Sequence, residues 1–194
     1  MRAFFDVEFI QGTTKGDKRR DFYSVGIVRE DGQELHRISS EADLSRAGWW
    51  FKANVLKQCK HEPTHSLLSI RLAIQEILSD VTTLYTRDGG HDADVLRQVV
   101  DEVPPVFDLQ SYWRDMGEPP LPPRTGGHHA LQDARWHKTL YETLTADALE
   151  MYVIDVWQNP LRMPNYDRIK GAKKKKRARQ ARKLVKDAYF SIAA

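Results

Sequence analysis

Along residues 2–10 the chain alternates between two faces. Ala3, Phe5, Val7 and Phe9 fall on one side, and Phe4, Asp6, Glu8 and Ile10 on the other. A period of two marks a β-strand. Two more β-rich runs, "DFYSVGIVRE" (21–30) and "QELHRISSE" (33–41), are separated by Asp31-Gly32, a dipeptide suited to a tight hairpin turn. The chain is therefore expected to open as a three-stranded meander.

Downstream the period lengthens. In "SLLSIRLAIQEIL", Leu67, Ile70, Ile74, Ile77 and Leu78 recur at helical spacing. "VTTLY" (81–85) reads as a short buried strand, "ADVLRQVVDEV" as a helix ended by Pro104-Pro105, and "VFDL" (106–109) as a last strand. "AGWWFKANVLKQC" is helical or mixed. After a Pro/Gly loop at 117–127, a helix carries Ala130, Leu131, Ala134, Tyr141 and Leu144 on its core side. A meander followed by alternating helices and strands predicts an α/β fold, a mixed sheet with helices packed on it. One domain is expected over 1–145. Residues 146–194 then form a helical extension that ends in a basic helix.

Composition narrows the class. With 194 residues and 41% hydrophobic content, the chain can build one core of ordinary size. No apolar run approaches the roughly 20 residues needed to span a membrane, and "MRAFFDVEFI" lacks the pattern of a signal peptide. The one cysteine, Cys59, excludes an internal disulfide framework and fits a reducing compartment. The expectation is a cytoplasmic protein with no membrane association.

The net charge of +3 conceals two electrostatic objects. Arg168 to Lys186 holds 11 Lys/Arg and no Asp/Glu, leaving 19 basic against 27 acidic groups elsewhere, or −8. A basic tail seeks polyanions, and an acidic body binds cations. Ala178, Ala181, Val185, Ala188 and Ile192 add a thin apolar stripe able to dock the tail on the body or on a partner subunit, so a homodimer stays open.

The acidic residues carry the candidate chemistry. Asp6 and Glu8 share one strand face, where like charges repel and are costly to desolvate. A divalent cation between them removes that conflict, because Mg²⁺ takes oxygen ligands from a few carboxylates. Asp92, with Asp88 and Asp94 as rivals, stands at the start of a helix, where an N-cap is the plain alternative. Asp133 lies within the last helix, beside Ala130 and His137. On a continuous helix His128 and Asp133 would diverge by about 140°. To join one site, His128 must sit in the loop before the helix, where a histidine suits a general base.

Taken in order, "DVEFI", "GGHDADVL" and "HHALQD" resemble the three motifs of the DEDDh 3′–5′ exonucleases, which have an RNase H-like fold. Ser24-Val25-Gly26 and Arg46-Ala47-Gly48-Trp49-Trp50 are similar to segments of the small mycobacterial-type exoribonuclease branch, and the likeness covers about residues 1–145. The resemblance implies that Asp6, Glu8, Asp92 and Asp133 hold two divalent cations, Mg²⁺ or Mn²⁺, and that His128 is the base. Asp92 matches rather than Asp94 because Leu96 follows it by four residues. The implied substrate is the 3′ end of single-stranded RNA or DNA, RNA being favoured. Phe9 and Ile10, with Lys173, Lys174, Lys175, Lys176, Arg177 and Arg179 of the tail, are the candidate nucleic-acid contacts.

Two rival readings stand beside this one. A zinc site from His91, His128, His129 and His137 lacks a recognised ligand spacing and leaves Asp6 and Glu8 unexplained. A non-catalytic nucleic-acid-binding module would act through the basic helix alone. Trp49 and Trp50 can stack on bases, although one core and one partly exposed tryptophan is the expected arrangement.

Overall fold

The computed structural model describes residues 1–11, 19–124 and 127–158, with side chains described as far as 146. Strand β1 (Arg2–Gln11) pairs antiparallel with β2 (Arg20–Arg29), and β2 antiparallel with β3 (Glu34–Ser39). The meander is closed by Asp31-Gly32, with Gly32 at φ 91°, a left-handed conformation that glycine adopts without steric cost. A two-residue strand, β4 (Thr64–His65), joins β3 in parallel. On the other side β5 (Thr83–Thr86) runs parallel to β1, and β6 (Val106–Asp108) parallel to β5. The order β4-β3-β2-β1-β5-β6 makes a six-stranded mixed sheet with helices packed on it, an RNase H-like α/β fold.

The strand alternation sets the core. Ala3, Phe5 and Val7 of β1, with Val25 and Ile27 of β2, meet Ile70, Ile74 and Ile77 of helix α3 (Leu67–Ile77), which follows the short helices α1 (Trp49–Phe51) and α2 (Lys57–Cys59). Val95 and Leu96 of α4 (Gly89–Leu96) join them. Burying each such side chain stabilises by about 1.5–3 kcal/mol. Phe4 stacks on Tyr85, and Tyr85 on Phe107, across β1, β5 and β6. Opposite Glu8 and Phe9 the register slips by one, because β2 carries an extra residue, Tyr23. This bulge turns Tyr23 into a second cluster with Ile10, Ile38, Phe51, Val55 and Cys59.

Several expectations need correction. The helical segment after Gly48 is α1 (Trp49–Phe51), a π-helical turn over Lys52–Leu56, and α2 (Lys57–Cys59). Neither tryptophan enters the core, as Trp49 is 78% and Trp50 48% exposed. Phe51 and Val55 fill that helix's buried positions instead. Leu67 is exposed because it is the first residue of α3, ahead of the face that Ile70 begins. Strand β4 had no sequence signal, since two residues show no period. The last helix, α6, runs over Ala130–Gln158, following α5 (Leu109–Asp115). Leu131, expected on the core side of α6, is only partly buried.

The chain divides into two compact units. One comprises Met1–Gln110 with Pro122–Thr139 and contains the whole sheet; the other comprises Ser111–Leu121 and the chain from Leu140. Within the second, Trp113 Nε1 donates to the Pro119 carbonyl at 2.7 Å. No helix among the described residues is long and apolar enough to cross a membrane.

One glycine sets how closely α6 approaches the sheet. A Cβ on Gly26 would lie 2.2–2.3 Å from backbone atoms of Ala130 and Leu131. Gly26 is the β2 partner of Asp6, so its bare Cα lets the start of α6 settle beside the acidic face. Gly26→Ala must push that helix off. It is expected to cost about 3 kcal/mol, the upper end for overpacking, read as a lowered denaturation midpoint. An unchanged midpoint would refute the close approach.

Candidate active site

Strand β1 presents Asp6 and Glu8 on the face that Gly26 keeps open. It pairs with β5 only over Arg2–Phe4, so beyond Phe4 the crevice belongs to elements that follow β5. Helix α4 fills it. Its N-cap is Asp88, and the Gly89-Gly90 start places Asp92 inside the first turn rather than at the cap. Of the three rival aspartates Asp92 is the buried one, 6% exposed, and accepts a 2.5 Å hydrogen bond from Thr86 Oγ1 at the end of β5. Asp88 and Asp94 are exposed and engage His91 and Arg97.

Helix α6 delivers Asp133, which is 2% exposed rather than a surface carboxylate. His128 precedes the helix at φ 50°, a left-handed conformation that non-glycine residues seldom hold and that tends to mark functional positions. Its ring meets Trp50 edge-on at 4.6 Å. Glu8, His128 and Asp133 each offer a ligand atom within 4.8 Å of the others.

Asp6 and Asp92 complete the cluster through charge. Burial, then the charges of Asp92, Glu8 and Asp133, hold Asp6 well above the ordinary carboxylate range. Burial, Asp133 and Asp92 push Glu8 up to about 8. Burial also takes Asp92 to about 7, against the lowering hydrogen bond from Thr86. Carboxylates packed this way call for positive charge.

One cation is supplied by Arg124, which sequence reasoning missed. Its Nε donates to Asp133 Oδ1 at 2.9 Å and its Nη2 reaches Oδ2 at 2.6 Å, a two-pronged pair. Trp136 holds the approach, with its Nε1 donating to the Pro122 carbonyl and the Arg124 guanidinium 5.8 Å from its ring. The available signal was a single arginine in a Pro/Gly loop just before the histidines.

The other candidates disperse. His91 is exposed on α4. Burial holds His137 neutral, at about 4, and its Nδ1 contacts the Phe5 carbonyl at 2.9 Å. His129 faces Glu62. The four-histidine zinc set is therefore not assembled. Ile10 is fully buried, so its side chain presents nothing to a nucleic acid, whereas Phe9 is partly buried with Arg20 5.7 Å from its ring. Lys173 to Arg179 lie outside the described residues.

Sheet and cluster together define a class: an RNase H-like α/β chain with a carboxylate centre beside its central strand. No family model matches the chain. It is 34% identical over 165 residues to a 3′-5′ exoribonuclease of Mycobacterium tuberculosis strain CDC 1551, and equally to that of strain H37Rv, covering 75% of this chain and 94% of each relative. The chain belongs to the mycobacterial-type 3′-5′ exoribonuclease family, and it is an enzyme of that kind.

Proposed function

We propose that this chain removes nucleotides from the 3′ end of single-stranded RNA with the help of two divalent cations, Mg²⁺ or Mn²⁺. The observation that carries this reading is the convergence of Asp6, Glu8, Asp92, Asp133 and His128 at one crevice. The donor set fits hard cations, being four carboxylates that crowd one another and already draw in one guanidinium. Asp6, Glu8, Asp92 and Asp133 would hold the ions, which when bound activate water and neutralise charge on the reacting phosphate.

The remaining work falls to the chain itself. His128 accepts the proton of the attacking water at a ring nitrogen, from a position on the loop that leaves it partly exposed. Exposed Trp49 and Trp50 offer faces on which terminal bases stack, and Trp50 already borders His128. The test is digestion of matched RNA and DNA oligonucleotides labelled at the 5′ end. A ladder shortening from the 3′ end of RNA, dependent on Mg²⁺ or Mn²⁺, supports the proposal. Internal cuts, or undiminished cleavage in EDTA, would refute it.

The basic tail supplies affinity in this reading. If about five of its cations meet single-stranded phosphates, log affinity falls against log salt with a slope near −3.5, at about −0.7 per contact. Deleting 168–194 is expected to flatten that slope while sparing turnover of saturating short oligonucleotides. An unchanged slope in a folded deletion would assign the tail elsewhere.

A further inference from the structure

A second group of ligand-type side chains lies outside the carboxylate cluster. His36 of β3, Cys59 at the end of α2, and His129 just before α6 each offer a ligand atom within 4.8 Å of the others. Glu62 binds both imidazoles, accepting from or contacting His36 Nδ1 at 2.6 Å and His129 Nε2 at 2.7 Å. The two rings lie 4.4 Å apart. With those nitrogens engaged, His36 Nε2 and His129 Nδ1 are left over.

The leftover nitrogens are poorly satisfied. His36 Nε2 is buried with no hydrogen-bond partner among the described residues, and the side chain is 10% exposed. His129 Nδ1 has only the Gln132 N–H at 3.5 Å, too long for a firm bond. A buried imidazole nitrogen left without a partner is destabilising, so a ligand that satisfies it is favoured. Cys59 is buried beside them and rests as the thiol, since burial first, then Glu62 and Glu8, push it up to about 11, with Tyr23 in hydrogen-bonding contact; only the positive charge of a bound cation would draw off its proton.

We propose that His36, Cys59 and His129 form a binding site for a borderline-soft divalent cation, Zn²⁺ above all, with Glu62 orienting the two imidazoles. Two imidazole nitrogens and a thiolate are ordinary zinc ligands, and a fourth position goes to water. A carboxylate on the far nitrogen of a ligating histidine fixes its tautomer and ring orientation. Charge also balances, since Zn²⁺ with the Cys59 thiolate and the Glu62 carboxylate sums to zero, which lessens the cost of burial. Binding expels the thiol proton to solvent, so affinity rises with pH. Tetrahedral bonds of about 2.0–2.3 Å set ligand atoms about 3.5 Å apart, so the three side chains must close on the ion when it binds.

The site ties β3, α2 and the entry to α6 together. It anchors His129, the neighbour of His128. It is separate from the carboxylate centre in ligands and in metal preference, and it does not rest on the nuclease reading.

The test uses the full-length Asp6→Asn protein, stripped of metal and titrated with Co²⁺. Thiolate-to-cobalt charge transfer in the near ultraviolet, with intense tetrahedral bands in the visible, should saturate at one equivalent and vanish when Zn²⁺ is added. Cys59→Ser should lose the charge-transfer band, and Glu62→Gln should weaken affinity about 10–100-fold, each with a melting curve to establish folding. The wild-type chain in excess Mg²⁺ repeats the measurement without any substitution. Weak octahedral absorption alone, or a charge-transfer band that survives in Cys59→Ser, would overturn the proposal. RNA cleavage does not enter these readouts, so their failure leaves the exonuclease reading intact.

Discussion

Asp6→Asn is expected to abolish RNA cleavage and to leave a folded chain that melts at a higher temperature than the wild type in EDTA. Asp6 sits beside Asp92, Glu8 and Asp133, and burial sharpens every repulsion among them. Replacing it with a neutral amide of the same shape removes the repulsion and, with it, a ligand. The stabilisation that Mg²⁺ or Mn²⁺ gives the wild type should shrink in Asp6→Asn, since an ion that binds only the folded state raises its apparent stability. The same carboxylates give the metal-free wild type an unusual pH response. Glu8 in the folded chain titrates near 8, whereas an ordinary glutamate does so near 4.5. Between these values the folded state retains a proton that the unfolded state has released, so stability falls as pH rises. In EDTA the melting temperature should therefore drop from about pH 6.5 to about pH 8, and divalent cations should restore it at the upper end. Buried His137, held at about 4 against an ordinary 6.5, and His36, lowered by burial, pull the other way only below about pH 6.5, and Asp31, Glu34 and Asp80, lowered by ion pairs, act at more acid pH still. Wild-type turnover in Asp6→Asn, or a melting temperature in EDTA that climbs across the window, would end the two-cation reading.

His128→Ala should lower turnover by about 10²–10⁴-fold, the usual share of a general base, while metal-induced stabilisation persists. The neighbouring substitution separates chemistry from architecture. His129 is 7% exposed and bound to Glu62. His129→Ala should cost about 1–3 kcal/mol of stability by stranding buried polar groups, and should change turnover far less. His128→Asn tolerates the positive φ better than alanine does, yet it should be as slow as His128→Ala, because neither offers a base. If His129→Ala were the slow variant and His128→Ala the merely unstable one, the roles of the two histidines would have to be exchanged.

Much of this was legible where a period ran long enough. The alternation from Ala3 to Ile10 fixed both the core face and the acidic face of β1, and Asp31-Gly32 fixed the hairpin. Ile70, Ile74 and Ile77 marked the buried stripe of α3. What escaped depends on long-range packing. Nothing in "KANVL" announces a π-helical turn, and one of Trp49 and Trp50 was expected in the core, whereas the fold turns both outward. Only the family resemblance, through the spacing to Leu96, singled out Asp92 from Asp94; the fold buries Asp92 beside Thr86 and leaves Asp94 exposed. His36 and His129 are far apart in sequence from Glu62, and Arg124, though nine residues from Asp133, sits in a loop with no period, so no spacing rule could find these pairs. The tail contacts fall outside the described residues.

The contact between Gly26 and Ala130 also bears on when this enzyme becomes dangerous to its own surroundings. A chain made from the N-terminus yields the meander first, together with Asp6 and Glu8. Asp92 comes later, and Arg124, His128 and Asp133 later still. Until α6 has left the ribosome and seated itself over Gly26, the growing chain holds an incomplete set of the proposed catalytic groups. Joining sequence-distant parts is the slow, entropically costly stage of folding. On the proposed assignment of those residues, the nascent chain is expected to stay inactive until its last helix is made.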